Sequence, residues 1–335
     1  MPLNIRDWLP VLFCGLSIPL SLFMWLGNVT ISKLWTPEFE GKPNVIPPTR
    51  WLFSILAPLL FMITALRRKS VNTSGAALGI IVAFILSIAS HAFFFSLAAF
   101  FFTSSRATKF RSHIKRKIEK DFKEGEGQRN WVQVLCNGGM ATQLAILYLI
   151  DVGSSERSID FEKDYRASWL GVAVMSAFAC CSGDTWASEL GCVLSTRDPF
   201  LITSFKRVPR GTNGGVSWIG LIVSFLGGMV VGLAYYITIR LTAPANMLMI
   251  SPAQWPLIVC GGIAGLFGSV VDSLLGATLQ YSGIDDEGKI VDTPGKGVRY
   301  ISGLRIIDNH SVNLISSIIT GVCMPLFAIK YWPEL

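Results

Sequence analysis

The chain has 335 residues, 51% of them hydrophobic and 15% charged, with a net charge of +7 and a mean hydropathy of +0.50. A soluble domain carries nearer a quarter charged residues, and here the charges gather in short stretches between apolar runs long enough to cross a hydrocarbon core of about 30 Å. A soluble fold is therefore excluded. The positive balance needs no nucleic acid, because basic loops on the inner side of a membrane and anionic headgroups account for it.

In chain order the runs predict about nine helices, at 8–28, 51–67, 74–89, 91–105, 131–151, 168–184, 215–240, 254–280 and 311–331. The expected fold is an all-α polytopic membrane bundle forming one domain over 1–335. The first run starts close to Met1 and lacks a small-residue cleavage site, so it is expected to stay as a helix and not to be removed as a signal peptide. The segment 74–105 is long for one span and short for two. Basic residues flank it on both sides, which predicts a tight hairpin; the alternative is one long tilted helix.

The loops set an orientation. Arg67-Arg68-Lys69, the stretch 106–130 (Arg106, Lys109, Arg111, Lys115, Arg116 and Lys117) and the trio Lys206, Arg207 and Arg210 are expected in the cytosol. The stretch 151–166 is mixed and more acidic, 242–252 is uncharged, and 28–50 carries the sequon Asn28-Val29-Thr30; these fit the outer side. Motif loops at 184–214 and 281–310 then face the cytosol. The seven cysteines include no CxxC and mostly sit in apolar runs, where free Cys behaves as a small hydrophobe. Neither a structural disulfide nor a zinc site is expected.

Four clusters place polar and glycine residues where a packed apolar helix would not. The first is Gly183-Asp184-Thr185-Trp186-Ala187-Ser188-Glu189-Leu190-Gly191, at the end of the sixth helix. A carboxylate at the edge of hydrocarbon is costly and is usually paired or functional. Regular α geometry puts Asp184 and Ser188 on one face and turns Glu189 away; a helix-end cap with a solvated Glu is the plainer account. The second is Pro209-Arg210-Gly211-Thr212-Asn213-Gly214-Gly215-Val216-Ser217, opening the seventh helix. Backbone N–H groups of a glycine turn at a helix N-terminus cradle phosphate oxygens, with Lys206 and Arg210 to neutralise charge, though an ordinary turn with basic anchors reads the same. The third is a stripe of Gly265, Ser269, Asp272 and Gly276. Close helix packing explains its glycines but not Asp272, about two turns inside the membrane. The fourth joins Asp308, Asn309 and Asn313 at the start of the last helix to Arg129 and Asn137 near the fifth, where Asn is more often an interhelical hydrogen-bonding group than a ligand. On the expected topology all four meet at one leaflet boundary. Two acids with amide oxygens suit Mg²⁺ bridging to phosphates, and phosphoryl transfer needs mainly positioning and charge neutralisation.

Taken together, these motifs, with Asp272-Ser273-Leu274-Leu275-Gly276-Ala277-Thr278-Leu279-Gln280, resemble the transmembrane protein nineteen family over nearly the whole chain. Plant members of that family include a phytyl-phosphate kinase, and the order of the first two clusters is more remotely similar to dolichol and phytol kinases and to phosphatidate cytidylyltransferases. The resemblance implies a kinase that converts a prenyl monophosphate to its diphosphate with a nucleoside triphosphate, CTP favoured. In that scheme Asp184 and Asp272 hold Mg²⁺, with Glu189 as a further candidate catalytic acid. Lys206, Arg210, Gly211, Thr212, Asn213, Gly214, Gly215 and Ser217 hold nucleotide phosphates, and Arg129, Asn137, Asn309 and Asn313 are polar groups on the substrate side. No paired-aspartate motif directly follows the glycine loop, which sets the chain apart from the cytidylyltransferases. The lipid class implies the endoplasmic reticulum membrane. A transporter and a non-catalytic scaffold are the competing readings; the one-sided acids and the lack of an inverted repeat weigh against transport.

Overall fold

The computed structural model describes residues 5–35, 45–110, 128–195 and 197–332. Nine long helices occur among them: α1 (Ile5–Trp35), α2 (Pro48–Arg67), α3 (Thr73–Ala89), α4 (His91–Lys109), α5 (Trp131–Asp151), α6 (Tyr165–Leu194), α7 (Trp218–Thr242), α9 (Pro256–Leu279) and α10 (Asn309–Tyr331), with a short α8 (Ala245–Ile250) before α9. Seven of the nine are long and apolar enough to cross a membrane; α3 is apolar but shorter. The protein is a polytopic helical membrane protein.

The segment 74–105 is a hairpin. Ser90 alone leaves helical geometry (φ −156°, ψ 138°), and its hydroxyl caps α4 by accepting from the Ala92 amide. The two arms then return to one side. Lys109 Nζ donates to the Arg68 carbonyl at 2.6 Å and lies 3.5 Å from Ser70 Oγ, so the end of α4 lies beside the start of α3. A single tilted helix would separate those ends by the full length of both arms.

The opposite end is fastened by a buried ion cluster. Glu156, in the connection between α5 and α6, accepts from Arg50 Nη2 (2.6 Å), Ser90 Oγ (2.6 Å) and the His91 amide (2.7 Å). Arg50 also reaches the carbonyls of Ile88 and Ala89. One carboxylate therefore ties the start of α2, the turn of the hairpin and the α5–α6 connection. Burial raises its pKa, but the hydrogen bonds and the Arg50 charge outweigh that and bring it down to about 2.

Helix α6 runs through the centre, with α7 and α9 against it. Glycines set the spacing: a Cβ on Gly228 of α7 would stand 2.1 Å from the Gly261 carbonyl oxygen of α9, and one on Gly183 of α6 would stand 2.5 Å from that of Gly265. The stripe on α9 is thus a packing surface, as small residues in membrane helices commonly are.

Several boundaries differ from expectation. Helix α1 runs on to Trp35, so the sequon lies within it, and Asn28 Oδ1 accepts from the Ile46 amide (3.1 Å), tying α1 to the approach to α2. Helix α6 does not stop at Asp184: it passes through a π-turn, Ala187–Gly191, and ends at Leu194. Gly191 packs on the backbone of Gly220 in α7, where a Cβ would stand 2.8 Å from Cα, so the neighbouring helix supports the extension. Helix α7 starts three residues late, because Gly215–Val216 (β2) pair antiparallel with Phe200–Leu201 (β1) and Ser217 caps the helix. A second small sheet, in the order β4 (Ile290–Val291), β3 (Ser282–Ile284), β5 (Arg299–Ser302), occupies the connection between α9 and α10. Within the stretch 106–130, helix α4 extends to Lys109 and residues 111–127 lie outside the described ones.

Candidate functional site

The two acids share one cavity. A space of about 440 Å³ is lined by Asp184, Ser188 and Glu189 of α6, Ser269, Asp272 and Ser273 of α9, Asn309 at the start of α10, residues 210–217, and Asp292 beyond β4. The π-turn explains why Glu189 takes part. Regular α geometry would turn it away; the wider turn at Ala187–Gly191 brings Glu189 to the cavity along with Asp184 and Ser188. π-turns often mark functional positions.

The glycine loop enters the cavity differently from the expected phosphate cradle. It is not the N-terminus of α7, whose first turn is capped by Ser217 Oγ accepting from the Gly220 amide (3.0 Å). Three of its amides are already used: Thr212 N and Gly215 N bond within the loop, and Asn213 N bonds Ser282 Oγ at 3.0 Å. Asn213 Nδ2 reaches the Tyr281 carbonyl and Asp292 Oδ1, both at 3.2 Å, so this side chain fixes the loop to the β3 sheet. The Thr212 hydroxyl donates to the Pro209 carbonyl (2.7 Å). Gly214 has φ +77° and packs so tightly on α9 that a Cβ would stand 2.4 Å from Ala277 Cβ and 2.6 Å from the Ser273 carbonyl oxygen. Positive charge at the cavity comes from Arg210 and from Arg197. Arg210 Nε lies 3.7 Å from Asp198 Oδ1.

Lys206, expected on phosphates, lies outside the cavity lining and is exposed on the β1–β2 hairpin. Asn137 and Asn313 also lie outside the lining and stand behind Asp272. The Asn313 carboxamide lies 3.2 Å from Asp272 Oδ2, 3.2 Å from the Asn309 carbonyl oxygen and 3.3 Å from Asn137 Oδ1. The hydrogen-bond network assigns its nitrogen toward the carboxylate and the Asn309 carbonyl. Ser316 Oγ adds a contact to Asp272 Oδ2 at 3.3 Å. Asp308 is the N-cap of α10, and its hydrogen bonds with Ser311 hold its carboxyl below the usual range. Arg129 is taken up by the hairpin: Nη1 donates to Ser105 Oγ (2.7 Å) and the guanidinium lies over the Phe101 ring (5.2 Å). Burial lowers its pKa, and the nearby Glu189 charge opposes the shift.

Sequence reasoning missed Arg197, Ser195, Gln280 and Asp292 as lining residues. Arg197 and Asp292 sit in charged connections that read as ordinary loops, and only the small sheets fold them back over the cavity.

A helical membrane protein with a polar, carboxylate-lined cavity at one end of its bundle is the class this geometry defines. The chain belongs to the family described as integral membrane protein DUF92, whose model matches residues 56–321. It is similar to Protein PGR of Arabidopsis thaliana, 40% identical over 276 residues, which is 82% of this chain and 95% of that protein. It is also similar to an uncharacterized membrane protein of Methanocaldococcus jannaschii, 26% identical over 211 residues, 63% of this chain and 67% of the relative. Protein VTE6, chloroplastic, of Arabidopsis thaliana is 23% identical over 268 residues, 78% of this chain and 68% of that protein. No solved structure matches.

Proposed function

We propose that the protein is a membrane-embedded phosphotransferase that converts an isoprenoid monophosphate to its diphosphate with a nucleoside triphosphate, CTP favoured. The observation that carries this reading is the convergence of Asp184, Asp272, the glycine loop, Arg197 and Arg210 on one cavity at the bundle end. The likeness of the same motifs to the transmembrane protein nineteen family, with its plant phytyl-phosphate kinase, supports it.

In this reaction a terminal oxygen of the prenyl phosphate attacks the γ-phosphorus. The bond from that phosphorus to the β–γ bridging oxygen breaks, and the nucleoside diphosphate leaves. The acceptor is ionised at neutral pH, since a phosphate monoester loses its second proton near pH 6, so no protein base is required. Arg210 and Arg197 would neutralise the nucleotide phosphates, and the Gly214 turn lets the loop that carries Arg210 approach α9 closely. Among the described residues no group of three or more His, Cys, Asp or Glu forms a metal cluster. Two carboxylates with the Asn309 and Ser269 oxygens nevertheless fit Mg²⁺, which ordinarily takes its remaining ligands from water and substrate phosphates. Asp184 and Asp272 would hold it, and it would supply charge neutralisation at the transferred group. Asn313 and Ser316 would hold Asp272 in place.

The proposal includes the endoplasmic reticulum membrane with the cavity facing the cytosol. The basic residues Arg67, Arg68, Lys69, Arg106 and Lys109 at the cavity end, against the acid-rich 151–164 connection at the other, favour that direction.

The test is direct. Purified protein is incubated with Mg²⁺, farnesyl or geranylgeranyl monophosphate and each of CTP, ATP, UTP and GTP, and the diphosphate is sought by mass spectrometry. Product with one donor, lost in Asp184→Asn and Asp272→Asn variants that reach normal membrane levels, is the expected outcome. Absence of product with every donor from folded protein rejects the reading.

A further inference from the structure

The β1–β2 hairpin carries an aromatic group that no helix covers. Phe200 stacks on Phe205 (5.9 Å between centroids) and packs against Trp218 (5.9 Å). Phe205 is 76% exposed and Trp218 71%. Phe205 also has φ +56°, a left-handed conformation that a bulky side chain rarely adopts and that a tight turn ordinarily gives to glycine. An aromatic residue in that position, with its ring held outward, points to a use for the ring. Lys206 and Arg207 follow it directly, and both are exposed. Trp218 is the first residue of the span Trp218–Thr242, which fixes the height of the group at a membrane–water boundary, where aromatic rings and basic side chains sit together.

We propose that this hairpin is an interfacial finger for an anionic lipid surface. Phe205, Phe200 and Trp218 enter the boundary between headgroups and acyl chains, and Lys206 and Arg207 meet lipid phosphates. This assigns Lys206 to bilayer lipid and not to nucleotide. The same hairpin limbs carry Pro199 and Gly215–Ser217 of the cavity lining, so the finger holds the cavity mouth against the headgroup layer. An amphiphile with a phosphate head then meets the cavity from the plane of the membrane.

The test places the photocrosslinker p-benzoylphenylalanine at Phe205 and, in a separate protein, at Glu287, an exposed turn residue between β3 and β4. Both go into vesicles of phosphatidylcholine with or without phosphatidylserine, and adducts are identified by mass spectrometry. Phospholipid adducts at 205 with none at 287, increasing with phosphatidylserine, are expected. The increase should be lost in Lys206→Glu/Arg207→Glu. Equal lipid labelling at both positions, or adducts at 205 only to another protein chain, overturns the proposal; an unchanged phosphatidylserine response in the double variant overturns its electrostatic part. If position 205 does not tolerate the probe, position 218 replaces it. The readout is an adduct and not turnover, so it stands or falls separately from the phosphotransfer reading.

Discussion

Acid should loosen this protein at the end away from the cavity, through one residue. Glu156 is buried with Arg50, Ser90 and His91 around it, and its pKa falls from 4.5 to about 2. A native pKa below the unfolded value means that the carboxylate stabilises the fold fully above about pH 4.5 and loses that contribution as pH drops toward 2. At about 1.4 kcal/mol per unit, the contribution is on the order of 3 kcal/mol. Glu156→Gln removes the charge at every pH and leaves the buried Arg50 guanidinium without a counter-charge, facing only neutral acceptors: the Ile88 and Ala89 carbonyls and the Gln carboxamide oxygen. Breaking a buried pair from one side costs about 3–5 kcal/mol, a fall in Tm of roughly 4–7 °C for 335 residues at about 2.1 cal/mol/K per residue. The assay is thermal unfolding in detergent, followed by the fluorescence of the ten tryptophans, at pH 7 and through the window from 5 to 3. The wild type should lose stability across that window; the variant should start low and stay flat. Arg50→Met/Glu156→Leu should recover part of the loss, because neither charge is then stranded. A Glu156→Gln variant melting within a degree of wild type at pH 7, or a wild-type curve flat from pH 5 to 3, would refute the reasoning.

Three further substitutions probe the packing and the cavity. Gly228→Ala drives a methyl group to 2.1 Å from the Gly261 carbonyl oxygen, so α7 and α9 must separate; overpacking of this kind costs about 1–3 kcal/mol, visible as a lower Tm in the same assay. Gly214→Ala adds a left-handed penalty of about 1–2 kcal/mol and a clash with Ala277, which should lower Tm by an amount comparable with Gly228→Ala and, by shifting the loop, also raise the KM for nucleotide. Asn313→Ala removes one hydrogen bond to a carboxylate, a contribution of about 1.5–3 kcal/mol; kcat should fall about 10- to 100-fold while the nucleotide KM changes little, since Asn313 lies outside the cavity lining. An equal rise in KM would place Asn313 on the substrate instead.

The spans were legible because apolar runs and the loops between them are local signals: the ends of α2, α3 and α5 were read to within three residues, and the hairpin followed from the basic residues on both sides of 74–105. The convergence of Asp184, Asp272 and the glycine loop was also legible once the helices were assigned directions. What stayed hidden depended on the third dimension. The π-turn is supported by the contact of Gly191 with Gly220, 29 residues away in sequence, and it decides which way Glu189 points. The use of loop amides by Ser282 and the retreat of Asn137 and Asn313 behind Asp272 are likewise contacts across the fold. Glycine spacing on α9 was correctly read as packing, because three- and four-residue intervals mark one face of a helix.

The depth of the cavity relates these parts to the bilayer. Asp272 lies seven residues before Leu279, the last residue of α9, about 10 Å along the helix axis at 1.5 Å per residue. The headgroup layer occupies roughly the outer 5–7 Å on each side of a hydrocarbon core of about 30 Å, so the carboxylates stand near the level where lipid phosphates give way to chains. The glycine loop reaches down to them: Gly214 packs on Ala277 and on the carbonyl of Ser273, the residue after Asp272. A nucleotide carried by that loop would have its phosphates within one helical turn of the acids, while a prenyl phosphate would keep its chain in the membrane and raise only its head into the cavity. Neither substrate would then leave its own phase, and under the proposed function that would account for acids inside the helix ends and a glycine loop folded over them.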